Sequence, residues 1–468
     1  MKHLVIRYWG WLLLISGFVL LPTPQLCAQA VAPDSVAPTV ETAEFAARAA
    51  RYAVRAGVTV AALAGDTLAG RGYGPADGAR RAARYLAGRF AKLQLEPYGD
   101  SAGRSYYQHF TLPVNTFPGD LDLRLDDLKL RPGLDFIAAP DCPTAHVQGR
   151  LLVLDSTWFY LDSADVLYHL KPRSLAGNIL VISADDEDLL PTLPRAIRAW
   201  VASAAAVLVL EPEKLTASLA RRQKTQPWIR VLDEAWRRAG SPRSASLNVN
   251  ARLEPAYPAL NLIGRVGGRY NGQTRTDSVL IVTAHYDHLG RQGRRATFFG
   301  ANDNASGAAM LLELADAIAT APLRCDVIFI LFGGEEVGLL GSQWCVEHPP
   351  VPLPQISFLL NLDLEGFGDG ITVVNATLFP RQFELLQDLN ATADPGRQPL
   401  LPKLKPRGRA ANSDHFPFSE RDVPAFFAYS LGGPGYYHDV LDRPESLRLA
   451  DAYRVYELMS RFLRRLGN

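Results

Sequence analysis

The sequence predicts an α/β fold, a mixed and largely parallel sheet between helices, carrying an inserted β-rich module. Three observations predict it. From residue 261 onward, uninterrupted apolar runs of strand length alternate with amphipathic helical stretches. Strands that are apolar at every position are covered on both faces, which is the environment of a parallel sheet. Between about residues 130 and 251 the texture changes to short β-like runs broken by Pro, Gly and charged residues. Finally, 468 residues are too many for one compact core.

Composition narrows the function. Apolar residues make up 48% and charged residues 21%, an ordinary globular balance that excludes disorder, collagen and coiled coil as the main state. Lys and Arg number 49 against 48 Asp and Glu, so no basic excess points to nucleic acid as a partner. Four cysteines in this length exclude a disulfide scaffold. Residues 1–30 read as a signal peptide. Lys2 and Arg7 open it, an apolar run from Trp11 to Leu21 follows, and Ala28-Gln29-Ala30 supplies the small-x-small cleavage pattern. The run is too short to span a bilayer. The expected product begins near Val31, is exported to the periplasm or the extracellular space, and has no transmembrane segment.

The elements follow in order. Residues 31–130 form the N-terminal part of the main domain, with helices over 42–62 and 77–93 and a strand over 106–112. Ala82, Tyr85, Leu86, Phe90 and Leu93 recur at helical spacing behind Asp77, the expected N-cap. Residues 131–251 are the insertion, with strands at 151–154, 178–182 and 206–210 and no cluster of His, Asp and Glu. Residues 252–468 are the larger part of the main domain. Its buried strands cover 279–284, 326–332, 356–362 and 425–429; its helices cover 305–320 and 446–466.

In such sheets ligands collect beyond the carboxyl ends of the strands. His285-Tyr286-Asp287-His288 follows the first of these strands, Gly333-Gly334-Glu335-Glu336 the second and Asn361-Leu362-Asp363 ends the third. Asn302-Asp303-Asn304 opens the helix after the first strand, and Tyr437-His438 follows a Gly-rich loop near the end. Taken singly, Asp303 reads as a helix cap, Glu335-Glu336 as a solvated turn and a lone His as structural. Those readings fail jointly, because imidazoles and carboxylates converge on one edge of one sheet. That donor set suits zinc and its neighbours. Three ligand carboxylates would balance two divalent ions with one bridging hydroxide, so the site could be buried.

These motifs resemble metallopeptidase family 28, the co-catalytic dizinc aminopeptidases. The match runs through His-Tyr-Asp-His, Asn-Asp-Asn-Ala-Ser-Gly, Gly-Glu-Glu-x-Gly-Leu-x-Gly-Ser, Asn-Leu-Asp, Ser413-Asp414-His415 and Tyr-His followed by Asp442. It extends, more softly, to Gly70-Arg71-Gly72-Tyr73-Gly74. The resemblance implies a zinc aminopeptidase-like fold, with the insertion similar to a protease-associated module. It implies two Zn2+, or other divalent ions, and peptide substrates. His285 and Asp363 would bind one metal, Glu336 and His438 the other, and Asp303 would bridge. Glu335 would be the general base, Tyr437 would help stabilise the oxyanion, and Asp287 would accept a hydrogen bond from His285. It also implies a cis peptide between Asp303 and Asn304. His288 and His415 lie in the motifs without being ligands. Two departures stand out: a long basic loop with Arg291, Arg294 and Arg295, and Leu364-Glu365-Gly366 after Asp363, where Glu365 is expected to alter the specificity pocket.

Other functions remain on the same scaffold. A glutamate-releasing carboxypeptidase or a glutaminyl cyclase would use the same metals; Arg291, Arg294, Arg295, Arg407 and Arg409 keep the former open, since arginine binds a substrate carboxylate. A non-catalytic ectodomain would show degraded ligands, and here all are present. Gly99-Asp100-Ser101-Ala102-Gly103 fits a serine-hydrolase elbow, but it is not set between a strand and a helix.

Overall fold

A computed structural model of the chain describes residues 40–100, 103–154, 175–269, 278–391 and 399–468; the expected signal peptide and Ser101 lie outside them. The N-terminal part supplies α1 (Val40–Leu63), α2 (Gly78–Lys92), β1 (Glu96–Pro97) and β2 (Tyr107–Thr116). The insertion supplies β3 (Leu121–Leu125), β4 (Leu128–Lys129), β5 (Phe136–Ala138), β6 (Ala145–Val153), β7 (Ile179–Ser183), α3 (Ala184–Leu189), α4 (Arg195–Val201), β8 (Ala206–Glu211), β9 (Trp228–Leu232), α5 (Asp233–Arg238) and β10 (Ser244–Val249). The chain then returns through the long β11 (Arg252–Val266) to β12 (Val279–His285), the small hairpin β13 (Gly290–Gln292) and β14 (Ala296–Phe298), and α6 (Gly307–Thr320). It continues with β15 (Asp326–Phe332), α7 (Leu340–Glu347), β16 (Ile356–Leu362), β17 (Ile371–Val374), α8 (Pro380–Ala391), β18 (Leu404–Pro406), α9 (His415–Ser419), β19 (Ala425–Ser430) and α10 (Leu449–Gly467).

The main sheet has the order β1-β11-β15-β12-β16-β19-β17-β18, with β2 also paired to β11. Its centre is parallel: β12 pairs in parallel with β15 and β16, and β16 with β19. Every residue of β12 and β15 is buried. Successive side chains leave a strand on opposite faces, and the core divides accordingly. Leu280, Val282 and Ala284 join Val327, Phe329 and Leu331 in one cluster, with residues of α1, α2, α6 and α10. Ile281, Ile328, Ile330 and Phe332 join Cys345, Val346 and Phe418 of α7 and α9 in another. The apolar runs in the sequence are therefore strands sandwiched between two helical layers. α10 seals its side with Ala452, Val455, Met459 and Phe462, a stripe at helical spacing.

The second sheet has the order β4-β3-β10-β6-β7-β8-β9-β5. It starts earlier than the expected boundary at residue 131. Leu121, Leu123 and Leu125 of β3 alternate into the insertion's own core, and β3 pairs antiparallel with β10. The insertion also carries short helices beside its strands. Asp77 does not cap α2 with its side chain: it has φ 51°, and its carboxylate accepts the Tyr257 hydroxyl at 2.5 Å.

Candidate metal centre

The four parallel central strands end on one edge, and each hands on a polar group. His285 is the last residue of β12. Glu335 and Glu336 follow β15 after two glycines, and Asp363 directly follows β16. The loop after β19 carries Tyr437 and His438, and the turn into α6 carries Asp303. The peptide between Asp303 and Asn304 is cis.

The structure brings the five candidate ligands together. His285 Nε2 lies 3.3 Å from Asp303 Oδ1 and 3.3 Å from Asp363 Oδ1. His438 Nε2 lies 3.2 Å from Asp303 Oδ2 and 3.1 Å from Glu336 Oε2. Asp303 thus turns one oxygen to each imidazole–carboxylate pair. Such a set of buried nitrogen and oxygen donors matches the chemistry of zinc, and two groups, His285-Asp303-Asp363 and His285-Glu335-Glu336, have donor atoms within 4.8 Å of one another.

Charge is shared unevenly among these groups. Burial opposes ionisation of Glu336, yet His438 and His288 beside it draw its carboxyl down to about 2. Burial likewise opposes Asp303, but hydrogen bonding to His285 and His438 holds it well below the usual carboxylate range. Burial tends to discharge His438, and Glu336 and Asp303 outweigh it, lifting the imidazole to about 11. Glu335 behaves oppositely: burial, with Glu336, Asp414 and Asp363 close by, raises its carboxyl well above the usual range. Adjacent glutamates with opposite shifts have different surroundings, which is a mark of distinct roles.

Behind these groups lies a set of partners. Ser413 Oγ donates to Asp363 Oδ2 at 3.0 Å; Asn361 Nδ2 donates to Ser413 Oγ at 2.8 Å, and Thr283 Oγ1 donates to Asn361 Oδ1 at 2.7 Å. Asp442 accepts the amides of Asn302 and Asp303 at 2.8 and 3.0 Å. His285 Nδ1 is 3.3 Å from the Asp287 carbonyl and 3.7 Å from its carboxylate, so the carbonyl is the nearer acceptor for the hydrogen bond expected of Asp287. His438 Nδ1 lies 2.7 Å from the carbonyl of Ala217, a residue of the insertion.

Three residues outside the expected site complete it. Arg71 is fully buried, and its guanidinium donates to five carbonyls: Leu63, Tyr286, Phe299, Gly300 and Asp303. It ties the loop after β12 to the loop bearing Asp303. Tyr73, two residues on, bonds the Asp287 carboxylate. His288, buried, places Nδ1 2.7 Å from Glu336 Oε1, and His288, Asp303 and Glu336 form a further donor group. The signal for all three was in the sequence, in Gly70-Arg71-Gly72-Tyr73-Gly74 and His-Tyr-Asp-His. A buried arginine contacting only carbonyls, however, has no periodicity that would reveal it.

A cavity of about 160 Å³ is lined by His285, Asp303, Glu335 and Asp363 together with Leu364, Asn412, Phe427, Tyr429 and Tyr437. Tyr437 is 50% exposed and its ring stacks on His438 with centroids 3.8 Å apart. Glu365 is not part of this lining: it is fully buried, its carboxyl oxygens have no hydrogen-bond partner among the described residues, and the expectation that it shapes the specificity pocket is corrected. No arginine lines the cavity among the described residues. Arg294 and Arg295 pair with Asp120 and Asp122, and Arg409 with Glu420.

Comparison with known proteins agrees with this architecture. The family profile described as peptidase family M28 matches residues 262–463. Aminopeptidase YwaD of Bacillus subtilis strain 168 is 29% identical over 195 residues, 41% of this chain. The matched stretch spans 40% of that protein's length. Among solved structures, the zinc aminopeptidase BSAP from Bacillus subtilis superposes with a TM-score of 0.64 at 21% identity, covering 88% of this chain and 95% of that one. The peptidase M28 precursor from Shewanella amazonensis SB2B gives 0.64 at 16% identity, covering 91% and 97%. The fold is shared with both, and residues 262–463, the part of the chain that carries the donor cluster, match peptidase family M28.

Proposed function

We propose that the protein is a zinc-dependent aminopeptidase that removes N-terminal residues from peptides, with two zinc ions at the Asp303 centre. The observation that carries this reading is the Asp303 carboxylate, set with one oxygen toward His285 and Asp363 and the other toward His438 and Glu336. His285 and Asp363 would hold one ion and Glu336 and His438 the other.

Bound metals supply Lewis acidity and a water acidified toward neutral pH. The chain supplies the rest. Glu335, which lines the cavity beside the candidate ligands, would take the water's proton as a carboxylate and return it to the leaving amine. Tyr437, which also lines the cavity, would donate its hydroxyl to the oxygen that gains charge at the attacked carbonyl. Phe427, Tyr429 and Leu364 offer an apolar wall to the substrate's first side chain. Among the described residues no arginine lines the cavity to meet a C-terminal carboxylate, which favours aminopeptidase over carboxypeptidase action. Hydrolysis of amino-acid p-nitroanilides with free and blocked N-termini, alongside metal analysis, tests the reading. Equal rates on blocked and free substrates would refute aminopeptidase action.

We propose export as well, on the pattern of residues 1–30. N-terminal sequencing of the released protein should read Val31-Ala32-Pro33; an intact Met1 or a lipid on Cys27 would overturn it.

A further inference from the structure

We infer that the insertion completes one half of the metal centre: a strap at residues 213–223, between β8 and β9, positions the Glu336–His438 pair and leaves the His285–Asp363 pair to the main domain. The inference rests on the two-metal reading above and concerns which part of the chain controls each ion.

The strap meets both loops that carry that pair. On the His438 loop, the ring Nδ1 lies 2.7 Å from the Ala217 carbonyl, and the Ala217 amide donates to the His438 carbonyl at 3.1 Å. Lys214 Nζ donates to the carbonyls of Gly435 and Tyr437 at 2.7 and 2.5 Å. On the Glu336 loop, Arg221 Nε donates to the Val337 carbonyl and its Nη2 to the Gly338 carbonyl, both at 2.7 Å. Gly338 has φ +93°, and a Cβ there would fall 2.2 Å from Arg221 Nη2, so this approach needs glycine. Leu215 and Ala217 of the strap are buried against Leu289, Phe298 and Val440 of the main domain, which seats the strap independently of its polar bonds.

Among the described residues, none of the insertion bonds the side chains of the other pair. His285 Nδ1 faces the carbonyl of Asp287, and Asp363 is held by Ser413, both within the main domain. An imidazole that binds metal through one nitrogen commonly donates the other N–H to a carbonyl or carboxylate. That bond fixes tautomer and ring angle, and its loss typically costs about 10–100-fold in metal affinity. With Nδ1–H donated to Ala217, Nε2 is the ring nitrogen that faces Asp303 and Glu336, and the one that would bind an ion on losing its proton. Lys214 and Arg221 are therefore positioning residues, and the insertion is not dispensable for the metal site, contrary to what the placement of all ligands outside it suggests.

The test compares the full-length protein with Lys214→Met, Lys214→Arg and Arg221→Met. Zinc per chain is measured after dialysis against graded chelator, and amide exchange of residues 213–223 is followed in metal-free and zinc-loaded wild type. The expected result is two ions in the wild type. In Lys214→Met and Arg221→Met one ion is lost at about 10–100-fold lower chelator, the second ion is retained as in wild type, and Lys214→Arg recovers at least part of the loss. Zinc should also slow exchange in the strap. Variants that release both ions together, or that titrate like the wild type, would overturn the inference while leaving the two-metal reading intact. A wild type that binds fewer than two ions overturns that reading, and the inference with it. Lys214 is only partly buried and bonds only to loop carbonyls, so its replacement should leave a folded chain on which these outcomes are read.

Discussion

The Tyr73 hydroxyl donates to the Asp287 carboxylate at 2.8 Å and accepts the amide of Gly334 at 2.6 Å. A residue from the N-terminal part thus joins the segment after β12 to the glutamate loop after β15. The same carboxylate lies 3.4 Å from the amides of Glu335 and Glu336. Burial and the neighbouring Asp287 raise the phenol well above its usual value, so it remains a donor at any working pH.

Tyr73→Phe removes this link and keeps the ring. It leaves a buried carboxylate short of one donor, a change that costs about 1–3 kcal/mol of stability. Denaturant unfolding should show that loss. The peptidase rate should fall about 10–100-fold, as for partners behind metal ligands. A variant matching the wild type in both measurements would show that the hydroxyl does not hold the glutamate loop.

Arg71 should be among the least replaceable residues outside the candidate ligands. Burial lowers its guanidinium to about 10, so it stays charged at neutral pH while satisfied by carbonyls alone. Arg71→Met strands those carbonyls, and a buried acceptor left unsatisfied costs about 1–3 kcal/mol. Arg71→Lys keeps the charge but cannot reach carbonyls on several sides at once. We expect Arg71→Lys to fold with weakened zinc retention and Arg71→Met to unfold at markedly lower denaturant. Equal stability of both with the wild type would mean that this clamp contributes nothing.

The central sheet was legible because burial on both faces leaves a continuous apolar run: 326–332 and 356–362 were read residue for residue as Asp326–Phe332 and Ile356–Leu362. The five candidate ligands were legible because the strand ends place His and carboxylates at one edge. Contacts between distant backbone atoms were not. The bond between His438 and the carbonyl of Ala217 joins residues 221 apart through an atom every residue has. The start of the second sheet was missed for a related reason. β3 alternates like any half-buried strand, and only its pairing with β10 assigns it to the insertion.

Acid should loosen the insertion through Asp135. Its side chain is 3% exposed and faces Arg131 and Arg238, each at 2.9 Å. Burial opposes its charge, but hydrogen bonds from the two arginines bring the carboxyl down to about 2. A folded-state pKa below the ordinary 3.8 means that this contribution is fully present above about pH 4 and fades as pH falls through 2. Asp135→Asn should therefore cost about 1.5–3 kcal/mol at pH 7, the range for a hydrogen bond to a charged group, and much less near pH 2. Urea unfolding at the two pH values checks this; a cost independent of pH would assign the effect to shape rather than charge.

Glu335 and Glu336 are neighbours with opposed electrostatics, and their glutamine variants should separate two roles. Glu336 meets His438 at 3.1 Å and His288 at 2.7 Å, inside the donor cluster. Glu335 lines the cavity next to His285, Asp303 and Asp363, where a carboxylate can meet the attacking water. Glu335→Gln keeps size and polarity but cannot accept a proton. It should retain both zinc ions and substrate affinity and lose about 10²–10⁴ in rate, the usual contribution of a general base. Glu336→Gln weakens a metal donor, so it should hold less zinc and regain part of its rate in excess metal. If both residues were only solvated turn positions, both changes would be silent. Bound zinc and single-turnover rate, measured on the two variants side by side, distinguish these outcomes. A Glu335→Gln protein that sheds its metal, or a Glu336→Gln protein that keeps both ions at full rate, would sink the assignment.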